Sequence, residues 1–433
     1  MAPPEQFRKW MASSRLEQYR LKARADCRKV KLMTAERLGS ALTLLAMVLM
    51  LAACGTIPNR NPLPQVDDKL AEIPGLPRDA RFWGDQAPEV LLDRLRTWSP
   101  EQMQAFVPTW YGKRLDFLAI SGGGQDGAFG AGLMNGWTAS GTRPEFQLVT
   151  GISTGALSAP FVFLGPDYDD KLKEVYTTNS TDDLVESRPW TVIATGDAAL
   201  DNGKLRDLIT GYIDAEMIRR LSEEYHRGRR LFVGTTNLDA GRPVAWNITA
   251  IAASDYADKR NLIIDVLLAS ASIPGAFPPV LIKIEVNGAV FDELHVDGGA
   301  VSQVFVYPST LDFSQVLGRL ATTEPFNIYV IRNSRLKPKW KPVEAGIFEI
   351  TETSISSLIR TQGLGDLSTI YLLSQRDGGN FRLTYVPDDF DADAQEMFDP
   401  AYMQKLYDVG YELGRNGVNW RDRPPATKTE AID

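Results

Sequence analysis

Two segments of this sequence share a pattern in which a short apolar run leads into a glycine-rich turn and then into a helical stretch. The first places a strand at 117–120 and a helix at 127–137, and the second places them at 146–150 and 155–164. Short uncharged runs of this kind are typical of strands that are buried on both faces. Strands that alternate with helices predict a parallel sheet covered by helices. We therefore expect an α/β fold with three layers, a mostly parallel sheet flanked by helices.

The same alternation continues along the chain. Further strands are expected at 231–235, 244–249, 280–286 and 326–331, and helices at 350–374 and 401–415, with 381–386 between these two helices. Residues 166–228 are expected to be mostly helical.

Composition excludes several classes of function. Of the 433 residues, 44% are hydrophobic, which is enough for a large core, and the net charge of −8 argues against nucleic acid as the main partner. The only cysteines are Cys27 and Cys54, and the only histidines are His226 and His295. Neither a disulfide framework beyond one bridge nor a zinc site built from several Cys and His is possible. We expect no metal and no cofactor.

The first 53 residues differ in charge from the rest of the chain. They carry ten Lys or Arg and four Asp or Glu, and they end in an uncharged apolar run, Leu38–Ala53. Such a run is short for a membrane span, which needs about 20 residues, and with Arg37 before it the segment is typical of a secretory signal. Residues 51–54, Leu-Ala-Ala-Cys, resemble a bacterial lipobox. A plain export signal, or a short core helix with an incidental Cys, is the alternative interpretation.

The lipobox resemblance implies that Cys54 is lipidated and becomes the first residue of the mature protein. Several acyl chains would then anchor it firmly to a membrane. Because Gly55 follows Cys54 where an Asp would signal retention in the inner membrane, we expect the outer membrane, facing the periplasm. Met33 would give the signal a short basic start, so our hypothesis is that translation begins there.

The domain organisation follows from these segments. Residues 1–53 are predicted to be an N-terminal extension with the signal peptide, and 54–112 a proline-rich tether followed by helices. Within this second segment, Ser99 to Gln102 has the pattern of a helix N-cap with a capping box. The main domain is predicted at 113–425 and a disordered tail at 426–433.

The first glycine-rich turn contains Gly122, Gly123, Gly124 and Gly127. Its glycines allow a tight turn whose N–H groups face a ligand at a helix N-terminus. The spacing matches a dinucleotide-binding fingerprint, but the next strand does not end in the acidic residue which that motif requires. A phosphate-binding P-loop is excluded because no Gly-Lys-Ser/Thr follows. An oxyanion hole is the third possibility.

The second turn is Gly151-Ile152-Ser153-Thr154-Gly155, between an apolar strand and a helical start. A strand, G-x-S-x-G and a helix together form a nucleophile elbow, in which the flanking glycines relieve crowding around a sharply turned serine. Alone, this motif is often an ordinary loop. The glycine-rich turn on the preceding strand favours the oxyanion-hole interpretation of that turn and a catalytic serine here.

Asp297 lies in an Asp-Gly-Gly turn after a strand-like segment, and alone such a turn would be unremarkable. The order of the motifs, a glycine-rich loop, then G-x-S-x-G, then D-G-G, resembles the patatin-like phospholipase family. The resemblance extends to 229–239 and to 271–279, and it covers about residues 115–310 well.

This resemblance implies a serine–aspartate dyad without histidine, in which Ser153 is the nucleophile and Asp297 its direct general base. Backbone N–H groups of Gly122, Gly123 and Gly124, with Thr154 as an additional donor, would form the oxyanion hole. The motif glycines that support these turns are Gly127, Gly151, Gly155, Gly298 and Gly299. Burial of Asp297 should raise its pKa and make it a better base.

Two features need their own explanation. We expect His226 at a helix C-terminus, and His295, two residues before Asp297, in a structural role. The chain also departs from the family at Asp126, where Lys or Arg is usual before the last glycine of the loop. This departure lowers the expected affinity for anionic head groups.

From these motifs we expect a serine acyl-ester hydrolase of the phospholipase A type, anchored to the bacterial cell envelope. Its expected partners are a lipid acyl ester and, through Cys54, a membrane. The alternatives are an acyltransferase that uses the same acyl-enzyme, and a non-catalytic lipid-binding lipoprotein.

Overall fold

The computed structural model describes residues 60–65, 71–189, 197–322, 324–338, 340, 342–343 and 345–425. The predicted signal segment within 1–53, the start at Met33, the lipidated Cys54 and the tail at 426–433 lie outside these residues, and these assignments stay predictions. Among the helices of the described ranges, none is both long and apolar enough to span a membrane.

The described strands are, in chain order, β1 (Arg81–Trp83), β2 (Asp116–Ile120), β3 (Leu148–Ile152), β4 (Glu186–Ser187), β5 (Leu200–Asp201), β6 (Arg230–Asn237), β7 (Arg242–Asn247), β8 (Val280–Val286), β9 (Ala289–Asp297), β10 (Asn327–Arg332) and β11 (Asn380–Tyr385). All except β4 and β5 belong to one sheet, whose main path runs β1-β7-β6-β3-β2-β10-β11. Strands β6, β3, β2, β10 and β11 are mutually parallel. Strands β7 and β9 each pair with β6 in the antiparallel direction, and β1 and β8 pair with them.

The described helices are α1 (Glu89–Thr97), α2 (Pro100–Phe106), α3 (Gly127–Ala139), α4 (Thr154–Leu164), α5 (Asp169–Thr177), α6 (Thr181–Leu184), α7 (Gly203–Tyr212), α8 (Ala215–His226), α9 (Ile248–Ala253), α10 (Lys259–Ser270), α11 (Phe313–Arg319), α12 (Ile347–Arg376) and α13 (Pro400–Arg415). The segment 166–228 is mostly helical, as predicted, but it also contains the short β4–β5 pair. The strand predicted at 244–249 ends two residues early. Asn247 accepts a hydrogen bond from the Ala250 N–H and thereby caps α9.

Buried side chains form a core on each face of the sheet. One core includes α3, α4, α10 and α13. The other lies under α2, α11 and α12 and the loop that contains Val304 and Val306. Helices therefore cover both faces of a mostly parallel sheet, which confirms the predicted three-layer α/β class.

The described part of the proline-rich segment lies along the sheet. The N–H groups of Glu72 and Glu285 each donate to the carbonyl of the other residue, at 3.0 and 2.7 Å. Pro62 forms a bridge with Asp292. An extended chain rich in proline fits here because an edge strand can lack some N–H donors. The predicted capping box is present, since Ser99 and Gln102 exchange side-chain and backbone hydrogen bonds. The boundary at 112/113 stays a prediction.

Candidate active site

Ser153 occupies the turn between β3 and α4. Its φ is 55° and its ψ is −127°, a conformation that L-residues rarely adopt and that is typical of strained functional turns. The Ser153 N–H donates to Ser270 Oγ (3.0 Å), and the Ser270 hydroxyl donates to the Gly234 carbonyl (2.7 Å). The turn is therefore held in place by the end of α10 and by the neighbouring strand β6.

The glycines beside Ser153 are required by close backbone approaches. A Cβ on Gly155 would lie 2.3 Å from the Ile120 carbonyl oxygen, and one on Gly151 would lie 2.4 Å from the Gly155 oxygen. Any side chain at either position would force the turn apart. The two glycines of the G-x-S-x-G motif therefore relieve crowding around Ser153, as the sequence analysis predicted.

Asp297 ends β9 and lies beside Ser153. The Ser153 side chain lies beside the Asp297 carboxylate and lowers its pKa through hydrogen bonding, and the Gly299 N–H donates to Asp297 Oδ1 at 2.6 Å. Asp297 is only 4% exposed. Burial raises its pKa to about 7, although both hydrogen bonds act in the opposite direction.

Strand β6 brings these two distant residues together. Ile152 pairs with Gly234 on one side of β6, and Thr235, the next residue, pairs with Asp297. Gly298 has no side chain and can therefore approach β6 closely: a Cβ on Gly298 would lie 2.6 Å from the Gly234 oxygen. The contact that the sequence analysis predicted between positions 153 and 297 is thus made across a single intervening strand.

The glycine-rich loop after β2 faces the same turn. A Cβ on Gly122 would lie 3.1 Å from the Ser153 Cβ. The Gly122 N–H, however, donates to the Gln303 carbonyl at 3.1 Å, so it is not a free oxyanion donor, contrary to our expectation. No described residue accepts a hydrogen bond from the N–H of Gly123, Gly124 or Thr154. These three amides are the remaining candidate donors.

Asn333, which directly follows β10, fixes the loop. Its N–H donates to Ser121 Oγ (2.9 Å), its Nδ2 donates to the Ser121 carbonyl (3.0 Å), and its Oδ1 accepts from the Gly130 N–H (3.1 Å). A Cβ on Gly123 would lie 1.9 Å from the Asn333 carbonyl oxygen. Asn333 therefore ties the loop to both the sheet and the start of α3, and only glycine fits at position 123.

Comparisons with known proteins identify the family of the segment that contains this site. A family model described as patatin-like phospholipase matches residues 118–308, which include the glycine loop, the elbow and Asp297. This segment is a patatin-like phospholipase domain. The description of that family, a phospholipase, is that of a lipid acyl hydrolase. Among solved structures, the crystal structure of VipD from Legionella pneumophila matches with 13% identity and a TM-score of 0.34, over 70% of this chain and 66% of VipD. No curated protein matches the chain significantly.

The patatin-like domain accommodates Asp126, the departure from the family pattern, through local contacts. Asp126 Oδ1 accepts a hydrogen bond from the Tyr402 hydroxyl at 2.8 Å. Burial raises the pKa of Asp126 to about 6, while Tyr402 and the nearby Arg335 act to lower it. The carboxylate thus binds α13 to the loop, and Arg335 supplies positive charge close to it.

Among the described residues, His295 forms hydrogen bonds with neither Ser153 nor Asp297. Its Nδ1 bonds with Thr235 Oγ1 (2.9 Å) and its Nε2 with Glu293 Oε2 (3.0 Å). The Trp246 indole N–H donates to Thr235 Oγ1, so the threonine hydroxyl is free to donate to Nδ1. Burial lowers the pKa of His295. A neutral imidazole in this buried network fits the structural role expected for it, and His226 ends α8, as predicted.

The sequence analysis did not identify three residues that contact the site. Ser270 lies one residue before the 271–279 segment that carried the family resemblance. Asn333 directly follows a parallel strand beside β2, a position where polar residues often serve a site. Gln303 follows the D-G-G turn and donates from Nε2 to the Gly299 carbonyl at 2.9 Å. Strand adjacency could have identified Asn333, but only the folded chain identifies Gln303.

Proposed function

We propose that this protein hydrolyses acyl esters of lipids with a serine–aspartate dyad, in which Ser153 is the nucleophile and Asp297 the general base. The observation that carries the proposal is the position of the Ser153 side chain beside a buried carboxylate whose pKa is about 7. A base with that pKa is about half ionised at pH 7, and it accepts a proton more readily than an ordinary aspartate.

The proposed cycle has two halves. Asp297 takes the hydroxyl proton while Ser153 Oγ attacks the ester carbonyl, and the resulting oxyanion is stabilised by N–H groups of Gly123, Gly124 and Thr154. Asp297 then gives its proton to the departing alcohol. In the second half, Asp297 takes a proton from a water molecule, and the resulting hydroxide attacks the carbonyl of the acyl-enzyme. Asp297 then gives that proton to Ser153 Oγ as the fatty acid leaves. The N-terminus of α4 adds a positive dipole at the oxyanion.

Labelling with a serine-directed fluorophosphonate tests the nucleophile. We expect the full-length protein to be labelled and the Ser153→Ala variant not to be. Ser187→Ala, which changes an exposed serine on β4, is the control and should be labelled normally. Absence of labelling, or labelling of Ser153→Ala, would contradict the proposal.

Asp297→Asn tests the base. Asn keeps the shape and can still accept from the Gly299 N–H, so we expect a folded protein whose kcat falls by about a thousandfold or more. Asp170→Asn, an exposed change on α5, should leave kcat unaltered. The products from mixed phospholipids, free fatty acid or a transferred ester, distinguish the hydrolase from an acyltransferase.

The proposed location is the bacterial cell envelope, with Cys54 lipidated and the domain facing the periplasm at the outer membrane. This part of the proposal rests on the lipobox-like sequence before Cys54 and on Gly55 after it. Cys54→Ser should move the protein from the membrane fraction to the soluble fraction without changing the kcat of the released protein. Unchanged membrane association would contradict the anchor.

A further inference from the structure

A second apolar region lies away from the dyad. It is a cavity of about 140 Å³ between helices α1 and α2 and the face of the sheet. Leu91, Met103 and Phe106 line it from the helices, Phe232 and Ala245 from the sheet, and Phe305 from the loop after β9. Apolar cavities of this size stay dry and bind apolar molecules. The helical wall precedes residue 118, so it lies outside the patatin-like domain.

One end of this cavity is charged. Arg230, at the start of β6, lines the cavity and is 6% exposed. Its Nη1 donates to the carbonyls of Tyr225 (2.9 Å) and Arg229 (3.0 Å), but its Nη2 is buried and has no partner among the described residues. The guanidinium lies over the rings of Phe106 and Tyr225, at 4.6 and 4.2 Å from their centroids. A rigid, buried donor is therefore present beside an apolar volume.

The charges that line the cavity do not balance. Arg94 Nη1 pairs with Asp79 Oδ2 at 2.8 Å, and both residues line the cavity with Arg230. Two guanidinium groups thus accompany one carboxylate. Burial lowers the pKa of Arg230 to about 10 and Arg94 acts in the same direction, whereas Asp79 and Tyr225 oppose them. The residues that line this end of the cavity therefore carry a net charge of +1, and a buried charge is normally paired.

We propose that this cavity binds the anion of a single-chain fatty acid, with the alkyl chain against the apolar lining and the carboxylate on Arg230. One excess positive charge matches a monoanion, and Asp79 would repel a dianionic head group. A planar carboxylate also suits the guanidinium fork. A cavity of about 150 Å³ accommodates benzene, so this one encloses about six carbons of the alkyl chain.

This site is separate from the proposed reaction centre. Arg230 pairs with Leu148, and Ser153 lies five residues further along, so a strand rise of about 3.3 Å per residue separates the two by about 16 Å. A carboxylate on Arg230 is too far from Ser153 to be attacked. The bound molecule belongs to the chemical class of the proposed product, but binding requires neither Ser153 nor turnover.

Direct binding to the full chain carrying Ser153→Ala tests the proposal, because this variant cannot consume or release the acid. Decanoate, decanol and acetate separate the contributions of chain and charge, and isothermal titration or the fluorescence of Trp110, which also lines the cavity, reports binding. We expect saturable binding of decanoate, binding of decanol that is weaker by about tenfold or more, and no saturable binding of acetate. Equal affinity for decanoate and decanol, or no binding of either, would overturn the proposal.

Two variants and a control locate the site. Arg230→Gln should weaken decanoate binding by about tenfold or more and leave decanol unchanged. Leu91→Trp should fill the cavity and weaken both ligands, and it keeps every polar contact of Arg230, so it tests the site even if Arg230→Gln does not fold. Arg227→Gln, on an exposed arginine that pairs with Glu224 and Glu145, should change neither. Unaltered decanoate binding by folded Arg230→Gln, or by Leu91→Trp, would place the acid elsewhere. Labelling of Ser153 is measured independently, so failure of this site leaves the proposed activity intact.

Discussion

At the scale of single residues, the protonation state of Asp297 governs the site. The carboxylate is 4% exposed, and burial raises its pKa to about 7 despite hydrogen bonds from Ser153 and Gly299. An ordinary aspartate would be ionised over the whole physiological range. This one changes charge within that range, so its pKa should be visible both in activity and in stability.

The first prediction concerns the pH dependence of activity. Only ionised Asp297 can accept the Ser153 proton, so kcat/KM should rise with pH, with an apparent pKa near 7, and level off above it. Initial rates on a soluble ester from about pH 5 to about pH 9 measure this. A profile that is flat between about pH 6 and about pH 8 would exclude Asp297 as the base.

The second prediction concerns stability. Between the ordinary pKa of 3.8 and about 7, folded Asp297 keeps a proton that the unfolded chain has lost, so the free energy of unfolding falls as pH rises through this window. Asp297→Asn removes this loss of stability, because the asparagine side chain does not ionise. The variant should exceed the wild type in stability by roughly 4 kcal/mol above pH 7, and the difference should shrink towards pH 4. Urea denaturation at both pH values measures it, and a pH-independent difference would contradict the assigned pKa.

The third prediction concerns Asn333 as a positioning residue. Asn333→Ala leaves the buried Gly130 N–H and the Ser121 carbonyl without their partners, which should cost roughly 2–3 kcal/mol of stability. Because the loop N–H groups act on the transition state, we expect kcat to fall by about tenfold or more while KM changes little. If Asn333 merely stabilises the fold, the folded variant should keep its kcat.

At the scale of elements, the strand–turn–helix unit at Ser153 stores backbone strain. Its φ of 55° places a side chain where glycine is favoured, and the turn persists because Ser270 and the close contacts of Gly151 and Gly155 enforce it. The same close packing recurs behind the glycine loop, where a Cβ on Gly132 of α3 would lie 2.0 Å from the Tyr407 oxygen of α13. Helices α3 and α13 thus pack at backbone distance and hold the loop that α3 follows.

The fourth prediction isolates this strain. Ser153→Gly and Ser153→Ala both remove the hydroxyl, but only glycine relieves the left-handed conformation. Ser153→Gly should therefore be more stable than Ser153→Ala by about 1 kcal/mol, although both are inactive. Thermal or urea unfolding of the two variants measures the difference. Equal stability would show that the turn relaxes when the side chain is lost.

At the scale of the whole molecule, residues outside the family domain complete the core. Met103, Val107 and Trp110 are at most 8% exposed and belong to the core that contains Phe117 of β2. Strand β1 extends the sheet by pairing with β7. The chain before residue 113 therefore covers apolar surface of the sheet as well as leading towards the predicted anchor.

The fifth prediction tests this contribution. Residues 113–425 expressed alone should be poorly soluble, or should unfold at a temperature many degrees lower than residues 60–425, because several buried apolar side chains each contribute about 1.5–3 kcal/mol. Solubility and thermal unfolding of the two fragments measure it. Equal unfolding temperatures would show that the boundary predicted at 112/113 is also a boundary of stability.

Local patterns allowed much of this protein to be predicted. Alternating apolar runs and helical stretches gave the α/β class, and the G-x-S-x-G and D-G-G turns gave the two residues that the fold brings into contact. The same patterns could not identify hydrogen-bond partners that come from distant parts of the sequence. The Gly122 N–H looked like an oxyanion donor, but the Gln303 carbonyl, 181 positions later, accepts its hydrogen bond.

What the sequence determined by itself was short-range: where glycine is required, where a strand must end, and which residue types can carry out acyl transfer. These properties depend on φ, ψ and side-chain chemistry within a few residues. Only the tertiary structure decided that Asp297 is buried enough for a pKa of about 7, that Asn333 fixes the glycine loop, and that Arg230 lies beside an apolar cavity with an unused donor. Desolvation and hydrogen bonding depend on all neighbours in space, and the chain acquires those neighbours only when it folds.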